Sequence, residues 1–201
     1  MRTTTRAWGI GLWLLATAAR AGAAPSLFTL DPAHTAVQFA VRHLMVSTVR
    51  GEFRKVQGKA SVDLTDWTKS AVEATIDAAS IDTRVEKRDE HLRSPDFLDV
   101  AKFPTITFKS TKIHKLGANK LRVTGDLTLH GVTRSVDLDV EGPTPPRADP
   151  WGNTRSGATV TATLNRKDFG IVWNKALDGG GVAVADEIAV TIDVEATTAA
   201  E

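Results

Sequence analysis

Five histidines, His34, His43, His91, His114 and His130, are the only imidazoles of the chain, and none stands in a spacing that would hold a metal. A zinc-hydrolase helix needs two His four apart around a Glu, and a strand site needs His-x-His; neither pattern occurs. His91 follows Asp89 and Glu90, but adjacent residues of a helix point apart and make no site. His34, just after Asp31-Pro32, reads as a turn or strand-start residue bonded to backbone. The carboxylates between Asp82 and Asp99 could in principle supply an acid–base pair, yet their density and spacing fit the solvated face of a short helix. There is no Gly-x-Ser-x-Gly elbow and no phosphate-binding or dinucleotide glycine pattern. Cysteine is absent altogether, which removes thiol catalysis and disulfide staples together. The expectation is a protein that is not an enzyme, with no catalytic residues, no metal and no cofactor.

The elements that would position a site are mostly strands. Period-2 alternation recurs at Val37, Phe39 and Val41; Ala60, Val62 and Leu64; Val72, Ala74, Ile76 and Ala78; Ile106 and Phe108. It resumes at Leu121, Val123, Leu127 and Leu129; Val136, Leu138 and Val140; Val160, Ala162 and Leu164; and Ile188, Val190, Ile192 and Val194. Each run has the pattern of a half-buried strand. A further strand is expected over 49–56, continuous with the next through a bend at Gly58. Hairpin-sized connections at Gly117-Ala118-Asn119 and His130-Gly131 make neighbours antiparallel. Such strands bury one face, and with a single short helix the sheet must close on itself as a barrel or fold into a sandwich.

That helix is expected from Arg84, where Thr83 and Glu86 have capping-box spacing, and Ser94-Pro95 ends it. Too short to be stable by itself, it must dock through Val85, Leu92, Phe97 and Leu98, covering one end of the sheet and rimming or gating an entrance. The proline-rich tract 142–153 reads as a long surface loop within one domain, and Asp178-Gly179-Gly180-Gly181 as a mobile loop.

Residues 1–23 have the parts of a secretory signal: Arg2 and Arg6, an apolar run from Ala7 to Ala19, and Ala21-x-Ala23 before the cut. The apolar run is too short to span a bilayer. The expected mature domain is 24–201, exported, most simply to a bacterial periplasm. Of the 25 basic residues, Arg2, Arg6 and Arg20 leave with the signal, so 22 face 24 acidic residues at a formal charge of −2. That balance speaks against a polybasic footprint for nucleic acid or for anionic membranes. Several interior positions are Ala (Ala60, Ala74, Ala78, Ala162), and there is no Tyr. Small inward side chains in an eight-stranded barrel leave either a tapered dry core or room for one ligand. Sugar and single-stranded nucleic-acid sites, which want aromatic platforms, fit poorly.

Five segments carry a family resemblance: FTLDPAHTAVQFAVRHL at 28–44, VRGEFRKVQGKASVDL at 49–64, ASIDTRVEKRDEHLRSPDFLDVAKFPTITFKST at 79–111, VTGDLTLHGVTRSVDLDV at 123–140, and RKDFGIVWN with VADEIAVTIDVEA at 166–174 and 184–196. In order and spacing they resemble the YceI-like, polyisoprenoid-binding family. The resemblance implies an all-β, antiparallel, eight-stranded lipocalin-like barrel with one short helix near one end. It further implies an apolar interior for a polyisoprenoid, an isoprenoid quinone or a similar amphiphile, in a carrier or storage role. The cavity wall is then assigned to Phe39, Val41, Phe53, Ala74, Ile76, Leu92, Phe97, Phe108, Leu127, Leu129, Val160, Phe169 and Trp173. Arg84, Arg88 and Arg93 are the head-group or entrance residues. An enzyme acting on a lipid-like substrate would need a polar cluster inside the tunnel, and an interaction or stress-response module would have a filled barrel; a homodimer is an open alternative.

Overall fold

The computed structural model describes residues 24–178 and 180–199, so the signal-like segment lies outside the described residues. The strands are β1 (Ser26–Leu30), β2 (Ala36–His43), β3 (Ser47–Phe53), β4 (Val56–Val62), β5 (Ala71–Asp77) and β6 (Ile81–Asp82). After helix α1 (Glu86–Arg93) come β7 (Thr105–Gly117), β8 (Lys120–Leu129), β9 (Val132–Glu141), β10 (Arg147–Ala148), β11 (Asn153–Asn165) and β12 (Val184–Ala199). All ladders are antiparallel, and the pairing of β11 with β12 closes the sheet.

Eleven of the twelve segments make eight staves, because the first three staves are each broken once; the two-residue β10 pairs with β11 outside the ring. Both β1 and β2 lie along β12, with Leu30 opposite Ala196 and Val37 opposite Ile192. Across from them β4 pairs with β1 and β3 with β2, and the third stave is β5, which pairs with β4, continued by β6, which pairs with β3. The breaks sit side by side and hold one another. Arg54 N–H donates to the Ser80 carbonyl, Lys55 N–H to the Ser80 hydroxyl, and Asp77 N–H to the Lys55 carbonyl, all at 3.0–3.1 Å. The bend between β3 and β4 is thus at Arg54-Lys55 and not at the expected Gly58. Gly58 is mid-strand, where an added Cβ would come within 2.8 Å of the Glu73 carbonyl oxygen.

The turns follow from backbone sterics. His130 and Gly131 both have positive φ, 52° and 73°, as a two-residue primed hairpin turn requires. Gly131 is needed twice over, because a Cβ there would lie 2.3 Å from the Phe103 ring. The proline-rich tract carries the two-residue β10, paired with β11. Gly179 lies outside the described residues; around it Leu177 N–H donates to the Gly181 carbonyl and Gly180 N–H to that of Leu177.

The helix differs from expectation at its start. It begins at Glu86, after Arg84 with φ 65°, and Val85 caps it without a side-chain bond. Thr83 is buried, and its N–H and hydroxyl both donate to the buried Asp89 carboxylate. An internal acid therefore takes the hydroxyl that a capping box would use, and Glu86 pairs with Arg93 at 3.3 Å instead. Leu92 packs inward as expected, onto the cluster of Ile81, Phe97, Leu98 and Ile171, whereas Val85 stays 47% exposed. The stop at Ser94 is as the proline dictates.

An apolar chamber inside the barrel

Aliphatic side chains that point inward from mid-strand usually bury one another. Here Phe39, Ala74, Ile76, Phe108, Leu127, Val160, Ala162 and Val190 are only partly buried, although all face the lumen. Their residual surface borders a chamber of about 420 Å³, within the range of ligand pockets. Two aromatic rings are kept off the axis by glycines. A Cβ on Gly51 or on Gly125 would lie 2.4 Å from the ring of Phe39 or Phe108 respectively, so each ring lies against bare backbone and leaves the lumen clear.

The two ends of the chamber are built differently. At the helix end, Ile81, Phe97, Leu98 and Ile171 are 4–8% exposed and pack as one cluster with Leu92, Phe53 and Leu129 around them. Trp173 seals this plug from behind, its ring 5.1 Å from Phe97 and 5.0 Å from His91. At the far end lie the β4–β5 connection, the β7–β8 turn and the loop from β9 to β11. Trp67 there packs over Ile113, Leu121, Val123 and Val140, and the wall residues Leu30, Ser70, Pro143, Ser156 and Gly157 are only half-buried.

All the residues assigned to the wall from sequence line the chamber except two. Trp173 stands behind the plug, and Phe169, 2% exposed, sits in the turn after β11. The three assigned arginines are also elsewhere. Arg88 donates to the Thr83 hydroxyl and carbonyl, and Arg93 to the carbonyls of Ala79 and Ile81. Arg84 is exposed beside a separate polar surface cleft. The segment 80–99 thus closes its end of the barrel, and the two donating arginines stitch that closure.

Sequence reasoning missed Arg166. Its parity with Val160, Ala162 and Leu164 along β11 points it inward, a signal available from the sequence. It is 4% exposed, and all five guanidinium N–H groups are used. Nε donates to the Ala185 carbonyl, Nη1 to those of Ile171 and Trp173, and Nη2 to that of Val184 and to the Asp186 carboxylate. Burial pulls its pKa below the ordinary arginine value, against the opposing pull of Asp186. With its donors spent, Arg166 ties the 171–185 segment to the barrel and offers nothing to a ligand. The other polar wall residues are likewise occupied. Lys59 and Glu73 pair on the outer face at 3.4 Å, the Ser70 hydroxyl accepts from Asp63 N–H, and the Ser156 hydroxyl donates to the Thr144 carbonyl. Chemically this wall can hold an apolar chain and exclude water.

Asp31, His34 and Glu195 place their ligand atoms within 4.8 Å of one another, but Arg155 already occupies the group. Its guanidinium pairs with Asp31, Asp149 and Glu195, joining the β1–β2 bend, the loop before β11 and β12. The His34 ring, then Arg155, hold the Asp31 carboxyl down at about 2. Burial acts to raise Asp149, but hydrogen bonds from Asn153 and Arg155 outweigh it, and its carboxyl lies far below the usual range. A depressed carboxylate stabilises the fold above its unfolded value and loses that contribution as pH falls through the folded one. Acid titration followed by circular dichroism is therefore expected to show a native barrel down to about pH 4 and unfolding below it. Arg155→Gln should move that midpoint to higher pH; an unmoved midpoint would show that the network does not govern acid stability.

Similarity to known proteins follows the same outline. A UPF0312 protein of Vibrio cholerae is 41% identical over 151 residues, 75% of this chain and 79% of that protein. The crystal structure of Burkholderia cenocepacia BcnA superposes with a TM-score of 0.69 at 23% identity, covering 83% of this chain and 98% of that one. A polyisoprenoid-binding domain from Saccharophagus degradans, implicated in plant cell wall breakdown, gives 0.59 at 15% identity over 88% and 99% of the two chains. The family model of the YceI-like domain matches residues 28–196, from β1 into β12 and so around the whole closed barrel, and the chain belongs to the YceI-like family.

Proposed function

We propose that this protein is an exported lipid-binding barrel that holds a polyisoprenoid, an isoprenoid quinone or a similar amphiphile in its chamber, as carrier or store. The observation that carries this reading is the hollow lumen: inward-facing aliphatics that keep accessible surface, around about 420 Å³. The polyisoprenoid-binding domain of Saccharophagus degradans, alike in fold, supports it. So does the signal-like pattern of residues 1–23 for export to a periplasm. Apolar burial supplies about 0.8 kcal/mol per CH₂. A few isoprene units therefore give ample gross affinity before the costs of ordering the chain.

Native mass spectrometry of protein taken from a periplasmic extract without detergent tests export and cargo together. The expected species begins at Ala24 and carries a near-stoichiometric apolar adduct that solvent extraction releases. A folded protein that repeatedly carries and takes up no prenyl lipid or quinone would sink the binding reading, and a full-length cytosolic species would sink export.

A further inference from the structure

We infer that the far end of the barrel docks on an anionic lipid bilayer, through the basic tip of the β7–β8 hairpin and the exposed Leu116 and Trp151. The formal charge of the mature chain is close to neutral, but folding does not spread it evenly. Between Lys109 and Gly125 the chain has Lys109, Lys112, His114, Lys115, Lys120 and Arg122, with no Asp or Glu. Lys109, Lys120 and Arg122 lie opposite Glu73, Glu141 and Asp139 and pair with them. Lys112 and Lys115 form no ion pair among the described residues. The β5–β7 ladder ends at Glu73 opposite Lys109; beyond it the Trp67–Lys69 turn, and no strand among the described residues, lies against that side of β7, and Lys112 and Lys115 are exposed.

Apolar side chains lie at the same end. Leu116, at the hairpin tip, is 56% exposed, and Trp151, in the turn before β11, is 78% exposed. The two loops are tied, since Gly142 N–H donates to the Asn119 carbonyl at 2.8 Å. Of the acidic residues near this end, Glu141 and Asp139 are taken by Lys120 and Arg122, and Asp149 and Asp63 are turned into their own loops. Asp149 accepts from Trp151, Asn153 and Arg155 and has a 5% exposed side chain, and Asp63 accepts from Thr65 and Asp66. Lysines without an ion pair, at the same end of the barrel as an exposed Trp and Leu, match the chemistry of an anionic headgroup region, where cations meet phosphates and an indole sits at the interface. Wall residues of the chamber, Leu30, Ser70, Pro143, Ser156 and Gly157, lie at this end, so docking would bring this end of the lumen to the bilayer from which cargo comes. The inference deepens the lipid-binding reading and rests on it for its purpose, although the docking itself is measured without cargo.

The test is co-sedimentation of the mature chain with vesicles of phosphatidylcholine, with and without phosphatidylglycerol. Binding is expected to the anionic vesicles only and to fall with added salt. The double variant Lys112→Gln with Lys115→Gln should bind at least about tenfold more weakly at an unchanged melting temperature. Binding should shift tryptophan emission to the blue in the parent and much less in Trp151→Phe. Equal binding to neutral vesicles, or undiminished binding by the double variant, would overturn the proposal. Ala74→Phe, which narrows the chamber, separates the two readings: docking predicts that it still sediments with anionic vesicles. Loss of sedimentation in that variant would mean that the signal is uptake of lipid into the lumen and would count against docking. Docking by a protein that never loads lipid would sink the carrier reading alone.

Discussion

Ala74→Phe is expected to keep the unfolding free energy within about 1 kcal/mol of the parent while losing most of the lipid capacity. In a packed interior the added ring would push neighbours off their rotamers, at a cost of about 1–3 kcal/mol. Ala74 faces the lumen from β5, opposite Gly58 on one side and Phe108 on the other. Gly58 adds no side chain, and the Phe108 ring lies back against Gly125, so the space in front of Ala74 belongs to the chamber. A Phe there fills ligand volume without displacing protein. Denaturant midpoints and lipid loading measured on one preparation decide it. Marked destabilisation with loading intact would mean that the space is not where the ligand sits.

What the sequence made legible was what period-2 alternation encodes. Val72, Ala74 and Ile76 or Val160, Ala162 and Leu164 sit on one face whatever the loops do, and the strand residues assigned to the wall line the chamber. Phe169 and Trp173 do not line it; they follow β11 in a tight turn and an extended segment where no repeat fixes direction. The broken staves were half legible: continuity of β3 with β4 was expected, but the bend depends on Ser80, far along the chain, capturing the N–H groups of Arg54 and Lys55. The arginines of the helix read as free cations because no local pattern reveals which distant carbonyls will take their donors. Whole-chain charge hid Lys112 and Lys115 for a related reason: an average carries no information about which lysines lack a partner. Arg166 is the opposite case. Its place two residues beyond Leu164 was a readable sign of an inward charge, and an inward charge needs a complete set of partners.

That completeness sets the largest expected loss of stability. Arg166→Met should lower the unfolding free energy by about 3–5 kcal/mol, the range for removing one partner of a buried ion pair. Met approximates the length of the stem but donates nothing, so the carbonyls of Ile171, Trp173, Val184 and Ala185 and the Asp186 carboxylate all lose a donor. Asp186 keeps Lys167 at 2.8 Å and the Val184 carbonyl keeps the Asn174 amide at 2.7 Å, which limits their shares, and the carbonyls of Ile171, Trp173 and Ala185 carry most of the cost because acceptors shielded from water and left without donors forfeit their solvation. Arg166→Lys should recover only part, since three ammonium protons cannot reach five acceptors. The loss should be local first: Ile171 is part of the plug, and this one guanidinium bonds the 171–185 segment at Ile171, Trp173, Val184 and Ala185. Limited proteolysis is therefore expected to cut that segment in Arg166→Met at temperatures where the parent resists and the strands remain intact by circular dichroism. A loss below about 1 kcal/mol in urea titrations, small for a buried charged network, would show that water replaces the guanidinium and that the helix end is more open than its packing implies.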